Sequence, residues 1–165
     1  IQYCTSRSIP LEVANKFLQE CHYQLPGRAT DNFALGFKNN SGGYELRNKD
    51  FQSCLGKKDI TLIKTGEEQV VSVFEGFFDF LSALIVSRKV EPTHHVLVLN
   101  SLSLLNKALP ILKGYQKVNL YLDNDRAGQN AVTSIKAVIR SATDQSRIYE
   151  KHKDFNDYLI TLKDG

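Results

Sequence analysis

Val118-Asn119-Leu120-Tyr121-Leu122-Asp123-Asn124-Asp125-Arg126-Ala127-Gly128 is the stretch on which the fold turns. Val118 to Leu122 is a short, largely apolar run and reads as a strand. Ala127 to Ser141 places Ala131, Ile135, Val138 and Ile139 on one face, the spacing of a helix. Asp123 and Asp125 therefore fall in a turn between a strand and a helix. The alternation continues on both sides. Upstream, Gln69 to Phe74 is a strand candidate, Phe77 to Arg88 a helix, Val96 to Leu99 a strand, and Leu102 to Leu112 a helix with Pro110 near its end. Downstream, Arg147 to Tyr149 reads as a short strand and Tyr158 to Leu162 as a last helical turn or two. Alternating strands and helices predict an α/β fold, a parallel sheet flanked by helices. Right-handed crossovers bring the carboxyl ends of such strands to one edge, where ligands bind.

The acids fall at that edge. Glu75 and Gly76 follow the first strand, Asp123 and Asp125 the third, and Asp154, Asn156 and Asp157 the fourth. Neighbouring strands are about 4.8 Å apart, so acids from two or three strand ends can converge. Clustered carboxylates repel and raise one another's pKa, and a divalent cation reverses that sign. Mg²⁺ prefers oxygen ligands, keeps several waters and bridges carboxylates to phosphates. The residues thus predict a Mg²⁺ (or Mn²⁺) site that handles phosphate. Gly76 and Gly128 would let backbone or phosphate approach closely. Each acid taken alone has a plainer reading. Asp123 and Asp125 fit a turn plus N-cap with Arg126 pairing locally, and Glu75 fits a solvated loop acid.

Residues 1–66 read differently from residues 69–165. Pro10 to Tyr23 has Val13, Phe17, Leu18 and Cys21 on one face and predicts a helix, ended by Pro26 and Gly27. Phe33 to Phe37 and Tyr44 to Arg47 alternate around the turn Lys38 to Gly43 and predict a hairpin. Ile60 to Ile63 is a further strand candidate. Residues 38–64 carry six basic and three acidic side chains. Lys38, Arg47, Lys57, Lys58 and Lys64 there are candidates for holding phosphates, each of which would make affinity salt-dependent. Phe37 and Tyr44 fit base stacking or, more simply, the core.

Composition sets the frame. The chain has 165 residues, 42% hydrophobic and 24% charged, with a net charge of +3. Collagen, coiled coil and wholesale disorder do not fit, and any nucleic-acid surface must come from local clustering. The longest apolar run, Phe77 to Val86, falls short of a membrane span, and no signal peptide opens the chain. Met is absent, even at position 1, which leads us to expect a fragment or a processed chain. Cys4, Cys21 and Cys54 are too far apart for a zinc site, so zinc is not expected, and three thiols suit a reduced, cytoplasmic chain. His94 and His95 are adjacent on a strand and point to opposite faces, a poor pair for one metal. GxxxxGK[ST] and GxGxxG loops are missing, which argues against P-loop and dinucleotide-binding proteins.

Three ordered motifs carry a family resemblance over about residues 69–160. They are Val73-Phe74-Glu75-Gly76-Phe77-Phe78-Asp79, Leu122-Asp123-Asn124-Asp125-Arg126-Ala127-Gly128, and Lys153-Asp154-Phe155-Asn156-Asp157-Tyr158-Leu159. This segment resembles a Toprim domain, most closely that of bacterial-type DNA primases. Arg7-Ser8-Ile9-Pro10, followed by Val13 to Phe17, is similar to the Arg-Gly-Ile stretch that opens the primase catalytic core. Phe33 to Lys64 looks like a shortened form of the basic subdomain that precedes Toprim, as in compact primases of plasmids and mobile elements. The resemblance implies a Toprim-like sheet (69–165) preceded by a small α+β subdomain (1–66).

It also implies roles. Glu75 matches an acid assigned general acid/base work, Asp123 and Asp125 a metal-binding pair, and Asp154 a later acid of the same cluster. The family commonly has a second Asp where this chain has Asn156, so a second metal position is left open. Asp79, Asn156 and Asp157 would support the ligands from behind, and Arg126 would clamp a phosphate. The activity implied is Mg²⁺-dependent synthesis of RNA primers from NTPs on single-stranded DNA. A replicative helicase would be reached through segments outside this chain, as would a zinc module. The competing readings are a Toprim nuclease or phosphohydrolase, and a non-catalytic nucleic-acid-binding Toprim module. A topoisomerase would need a nucleophilic Tyr in a further domain, and a receiver domain an acid pair after the first strand.

Overall fold

The computed structural model describes residues 2–24 and 31–164. Pro26 and Gly27 lie outside them. The chain opens with α1 (Gln2–Ser6) and α2 (Leu11–Phe17), followed by β1 (Leu18–Gln24), β2 (Asp31–Lys38), β3 (Tyr44–Arg47) and β4 (Gln52–Leu55). These four strands pair in sequence order as an antiparallel sheet. The expected hairpin is β2–β3. Asn39 builds its turn: Oδ1 accepts from the backbone N–H groups of Ser41 and Gly43 at 3.1 and 2.9 Å.

The second sheet holds β5 (Thr61–Ile63), β6 (Glu67–Phe74), β7 (His94–Val98), β8 (Lys117–Tyr121) and β9 (Ala142–Asp144) in the order β5-β7-β6-β8-β9. β6 to β9 are mutually parallel and β5 is antiparallel to β7. The intervening helices are α3 (Phe77–Val86), α4 (Leu105–Leu112), α5 (Arg126–Val138) and α6 (Phe155–Asp164).

Both faces of this sheet are covered. Val71, Val73, Val118, Leu120 and Leu122 pack with Ala108 and Leu112 of α4 and Ala131, Val132 and Ile135 of α5. Phe74 and Val96 face the other way, against Phe77, Phe80, Leu81 and Leu84 of α3 and Leu159 of α6. Cys4, Ile9, Val13 and Phe37 belong to this second cluster, so α1, α2 and the first sheet share a core with the second sheet. Burial on both faces explains why β6 to β8 read as nearly unbroken apolar runs.

Two expectations are corrected. The helix expected over Pro10 to Tyr23 ends at Phe17, and Leu18 onward is β1. Residues 18–24 pair one by one with β2, from Leu18 opposite Phe37 to Gln24 opposite Asp31. Cys21 and Tyr23 are half-buried while Glu20 and His22 are exposed, a period of two that coexists with the helical spacing of Val13, Phe17 and Cys21. The strand expected at Arg147 to Tyr149 is a 3₁₀ turn, Ser146–Tyr149, and the fourth parallel strand lies earlier, at Ala142–Asp144. Asp144 Oδ1 accepts from the Ser146 N–H at 2.9 Å and starts the turn. Tyr149 is thereby aimed inward, with its hydroxyl donating to the Leu122 carbonyl at 2.9 Å.

The two histidines do separate things. His94 bonds Ser72 at 2.8 Å and His95 bonds Tyr115 at 2.8 Å. The three cysteines are all free thiols. Among the described residues, no helix is long and apolar enough to cross a membrane.

Candidate active site

β6 and β8 are neighbours, yet the helices that follow them cover opposite faces, α3 on one and α5 on the other. Diverging connections open a crevice beyond the carboxyl ends of such strands. Glu75 follows β6 there, and Asp123 follows β8. Phe74 stands opposite Tyr121 in the parallel register, so the two acids leave the sheet at nearly the same level. The Asp123 backbone N–H donates to the Glu75 carboxylate. The second Glu75 oxygen, Oε2, is buried without a partner.

Asp125 is the N-cap of α5, its Oδ1 accepting from the N–H groups of Ala127 and Gly128, both at 2.9 Å. Cap and acid-cluster member are thus one residue. A Cβ at Gly128 would overlap the Asp123 carbonyl oxygen. This glycine therefore lets the start of α5 lie against the acid turn, a backbone approach rather than a phosphate one. Asn124 ties the same turn to the last acid: its N–H donates to the Lys153 carbonyl at 2.7 Å, and its Nδ2 donates to the carbonyls of Tyr149 and His152 at 2.9 and 3.0 Å. Asp154 Oδ1 accepts from the Asp157 N–H at 2.8 Å and opens α6.

These groups line a cleft of about 530 Å³. Glu75, Asp79, Asp123, Asp125, Asp154 and Asp157 supply six carboxylates, and Arg7, Arg47, Lys58 and Lys153 supply four cations. Arg47 and Lys58 come from the first sheet and the segment after it, so both sheets contribute. Lys38, Lys57, Lys64 and Arg126 are exposed and lie away from the cleft lining. Phe37 is 2% exposed and stacks on Phe77, and the Tyr44 hydroxyl donates to Gln19, so Phe37 is core and Tyr44 is tied to its own sheet. Asn156 is fully buried and does not line the cleft. Its N–H donates to Asp79 Oδ1, and its Nδ2 donates to the Arg7 carbonyl and Ser82 Oγ at 2.9 and 2.8 Å. It clamps α6, α3 and the turn after α1 together.

Burial, and then crowding, raises the proton affinity of Asp123, Glu75 and Asp79. Burial pushes Asp123 up to about 7, with the charges of Glu75 and Asp154 adding to it. Glu75 is raised chiefly by burial, opposed by the Asp123 N–H. Asp79 is raised well above the ordinary range, first by burial and then by Asp154 and Asp123.

Among the described residues, no three His, Cys, Asp or Glu side chains form a ready-made cage for a metal. The donor set nevertheless suits Mg²⁺, which keeps several waters and needs only one or two carboxylates. The orphaned Glu75 Oε2 and the acid surplus are what such a cation would satisfy. Sequence reasoning gave no site role to Arg7, Gln52, Asn100, Ser101 or Lys153, all of which line the cleft. For Arg7 and Lys153 a signal existed, since both stand within the motifs; Gln52, Asn100 and Ser101 arrive only through tertiary packing.

Known proteins share this architecture. Residues 1–56 match a family described as a domain of unknown function, and residues 72–159 match the family described as Toprim-like. A search of curated proteins found no match. Among solved structures, the primase fragment of the bacteriophage T7 primase-helicase protein is 20% identical with a TM-score of 0.68, over 97% of this chain and 69% of that one. The T7 lagging-strand DNA polymerase complex, with primase domains of two gp4 subunits bound to an RNA/DNA hybrid and dTTP, gives 19% and 0.65, over 97% and 85%. The Aquifex aeolicus primase, comprising zinc-binding and RNA polymerase domains, gives 21% and 0.59, over 87% and 48%. The acid-lined crevice thus sits in a fold shared with primase fragments, and by the match over residues 72–159 the chain belongs to the Toprim-like family.

Proposed function

We propose that this chain is the catalytic core of a DNA primase, joining NTPs into short RNA on a single-stranded DNA template. The observation that carries the reading is the convergence of Glu75, Asp123, Asp125 and Asp154 on one cleft in a primase-like fold. Glu75, Asp123, Asp125 and Asp154 would hold Mg²⁺ or Mn²⁺. Bound there, the metal would lower the pKa of a primer 3′ hydroxyl and offset charge on the leaving pyrophosphate. The 3′ oxygen attacks the α-phosphorus, and the bond to the bridging oxygen of pyrophosphate breaks. Glu75 would receive the hydroxyl proton. Arg47 and Lys58, which line the same cleft, contact template or nucleotide phosphates. Lys38, Lys57, Lys64 and Arg126 serve a strand that runs beyond the cleft. Asp79, Asn156 and Asp157 support the acids, Asn156 through the clamp described above.

The setting that fits is a bacterial or mobile-element replication system in the cytoplasm. The T7 relatives add a partner class, a helicase reached through segments outside this chain. The test is incorporation of labelled NTPs on single-stranded DNA with Mg²⁺ or Mn²⁺. Short RNA products abolished by Asp123→Asn support the reading. Metal-dependent nicking without incorporation assigns the site to a nuclease instead.

A further inference from the structure

Arg7 is the one cleft cation that the N-terminal helices supply. It is the C-cap of α1, fixed on both sides by backbone bonds. Ser8 N–H donates to the Thr5 carbonyl and Ile9 N–H to the Cys4 carbonyl, both at 2.9 Å, the paired bonds of a Schellman motif. The Arg7 carbonyl accepts from the buried Asn156 Nδ2 at 2.9 Å. Its backbone position is therefore set by α1 and α6 together. The guanidinium stands over the Phe78 ring, 5.4 Å from the centroid, and is further oriented by that face.

Its charge acts on Asp79, yet the side chain has no hydrogen-bonded or ion-paired protein partner. Among the described residues the ion pairs are Lys16–Glu91, His22–Glu20 and Lys107–Asp59, and no hydrogen bond uses the Arg7 guanidinium. Its Nε is buried and unpartnered. This is unusual for an always-charged group in a cleft with six carboxylates. A half-buried guanidinium whose N–H groups have no acceptor is costly, and an anion that enters the cleft supplies one.

We propose that Arg7 is a phosphate ligand of the cleft, its planar fork gripping a phosphate oxygen of the nucleotide substrate beside Asp79. The inference rests on the nucleotidyl-transfer reading above. Planar, multidentate recognition of phosphate is the chemistry for which arginine is suited and lysine is not. The phosphate belongs either to the incoming triphosphate or to the nucleic-acid strand, and two titrations separate these sources.

ATP with Mg²⁺, and a single-stranded oligodeoxynucleotide in EDTA, are titrated calorimetrically into wild type, Arg7→Gln and Arg7→Lys. Loss of one charge-assisted contact weakens binding by about tenfold or more. An ATP defect in Arg7→Gln with unchanged oligonucleotide affinity assigns the triphosphate; the reverse assigns the strand. Arg7→Lys, which keeps the charge and loses the fork, should fall between. Unchanged affinities for both ligands overturn the proposal. Thermal melting of each variant is measured alongside, and if Arg7→Gln does not fold, Arg7→Lys decides: wild-type affinity for both ligands refutes the phosphate contact. Failure of the parent reading looks different. Wild type would then bind ATP through Arg7 yet incorporate no nucleotide. Conversely, primer synthesis with KM and kcat unaltered by Arg7→Gln removes Arg7 and leaves the primase reading intact.

Discussion

Asp79 shows how one side chain joins stability to the site. It is almost wholly buried at the start of α3, accepts the Asn156 N–H, and has its pKa raised by burial and by the neighbouring acids. A folded-state pKa above the unfolded value means stability that is full below the unfolded value and is lost as pH rises through the folded one. Asp79→Asn removes that loss and keeps an oxygen for the Asn156 N–H. In EDTA, the melting temperature of Asp79→Asn minus that of wild type should therefore grow between about pH 5 and about pH 8. A difference that is flat across this range contradicts the assignment. Cys54 offers an independent check on local electrostatics. Burial and then the Glu45 charge push its thiol up to about 11. The thiolate is the reactive form. Alkylation of Cys54 by iodoacetamide, followed by mass spectrometry, should thus be slow at about pH 8 and rise steeply above it, and Glu45→Gln should shift the rise to lower pH.

Elements show where sequence was enough and where it was not. Asp123 and Asp125 were legible because strand, turn, cap and helix follow one another within eleven residues, and each signal is local. β1 was misread because Val13, Phe17 and Cys21 keep helical spacing while Cys21 and Tyr23 also alternate, and only pairing with β2 decides between the periods. The 3₁₀ turn at Ser146 was missed because Tyr149 is drawn inward by the Leu122 carbonyl, a partner far away in sequence. Arg7 stood in a quoted motif, but its place in the cleft is fixed by Asn156 on α6, a partner far away in sequence. Two substitutions test the elements. Ser8 holds φ at 57°, the left-handed region, at the position where the Arg-Gly-Ile stretch has glycine. Ser8→Gly should stabilise the fold by about 0.5–1 kcal/mol in denaturant unfolding. Gly128→Ala should do the opposite, because its methyl group displaces the Asp123 carbonyl. We expect a loss of about 1–3 kcal/mol together with loss of metal-dependent synthesis.

At the scale of the molecule, the cleft exists because two sheets are locked together. Asp59, 2% exposed, receives Lys107 at 2.6 Å and the Ser41 hydroxyl at 2.7 Å. Asn100 donates to the Asp59 carbonyl and to Thr61 Oγ1, and Thr61 in turn donates to the Lys38 carbonyl. The hairpin turn of the first sheet is thus hooked to β5 and α4 of the second. That lock holds Arg47 and Lys58 in the same cleft as the acids. None of it could be read from composition, since a net charge of +3 averages over the cations and carboxylates that meet in this cleft. The most direct measurement is incorporation of labelled NTPs on single-stranded DNA with Mg²⁺ or Mn²⁺, comparing wild type with Asp123→Asn. A primase core gives short RNA products with wild type and a loss of at least about 10²-fold with Asp123→Asn. Equal incorporation by the two proteins, or strand cleavage with no incorporation, would contradict it.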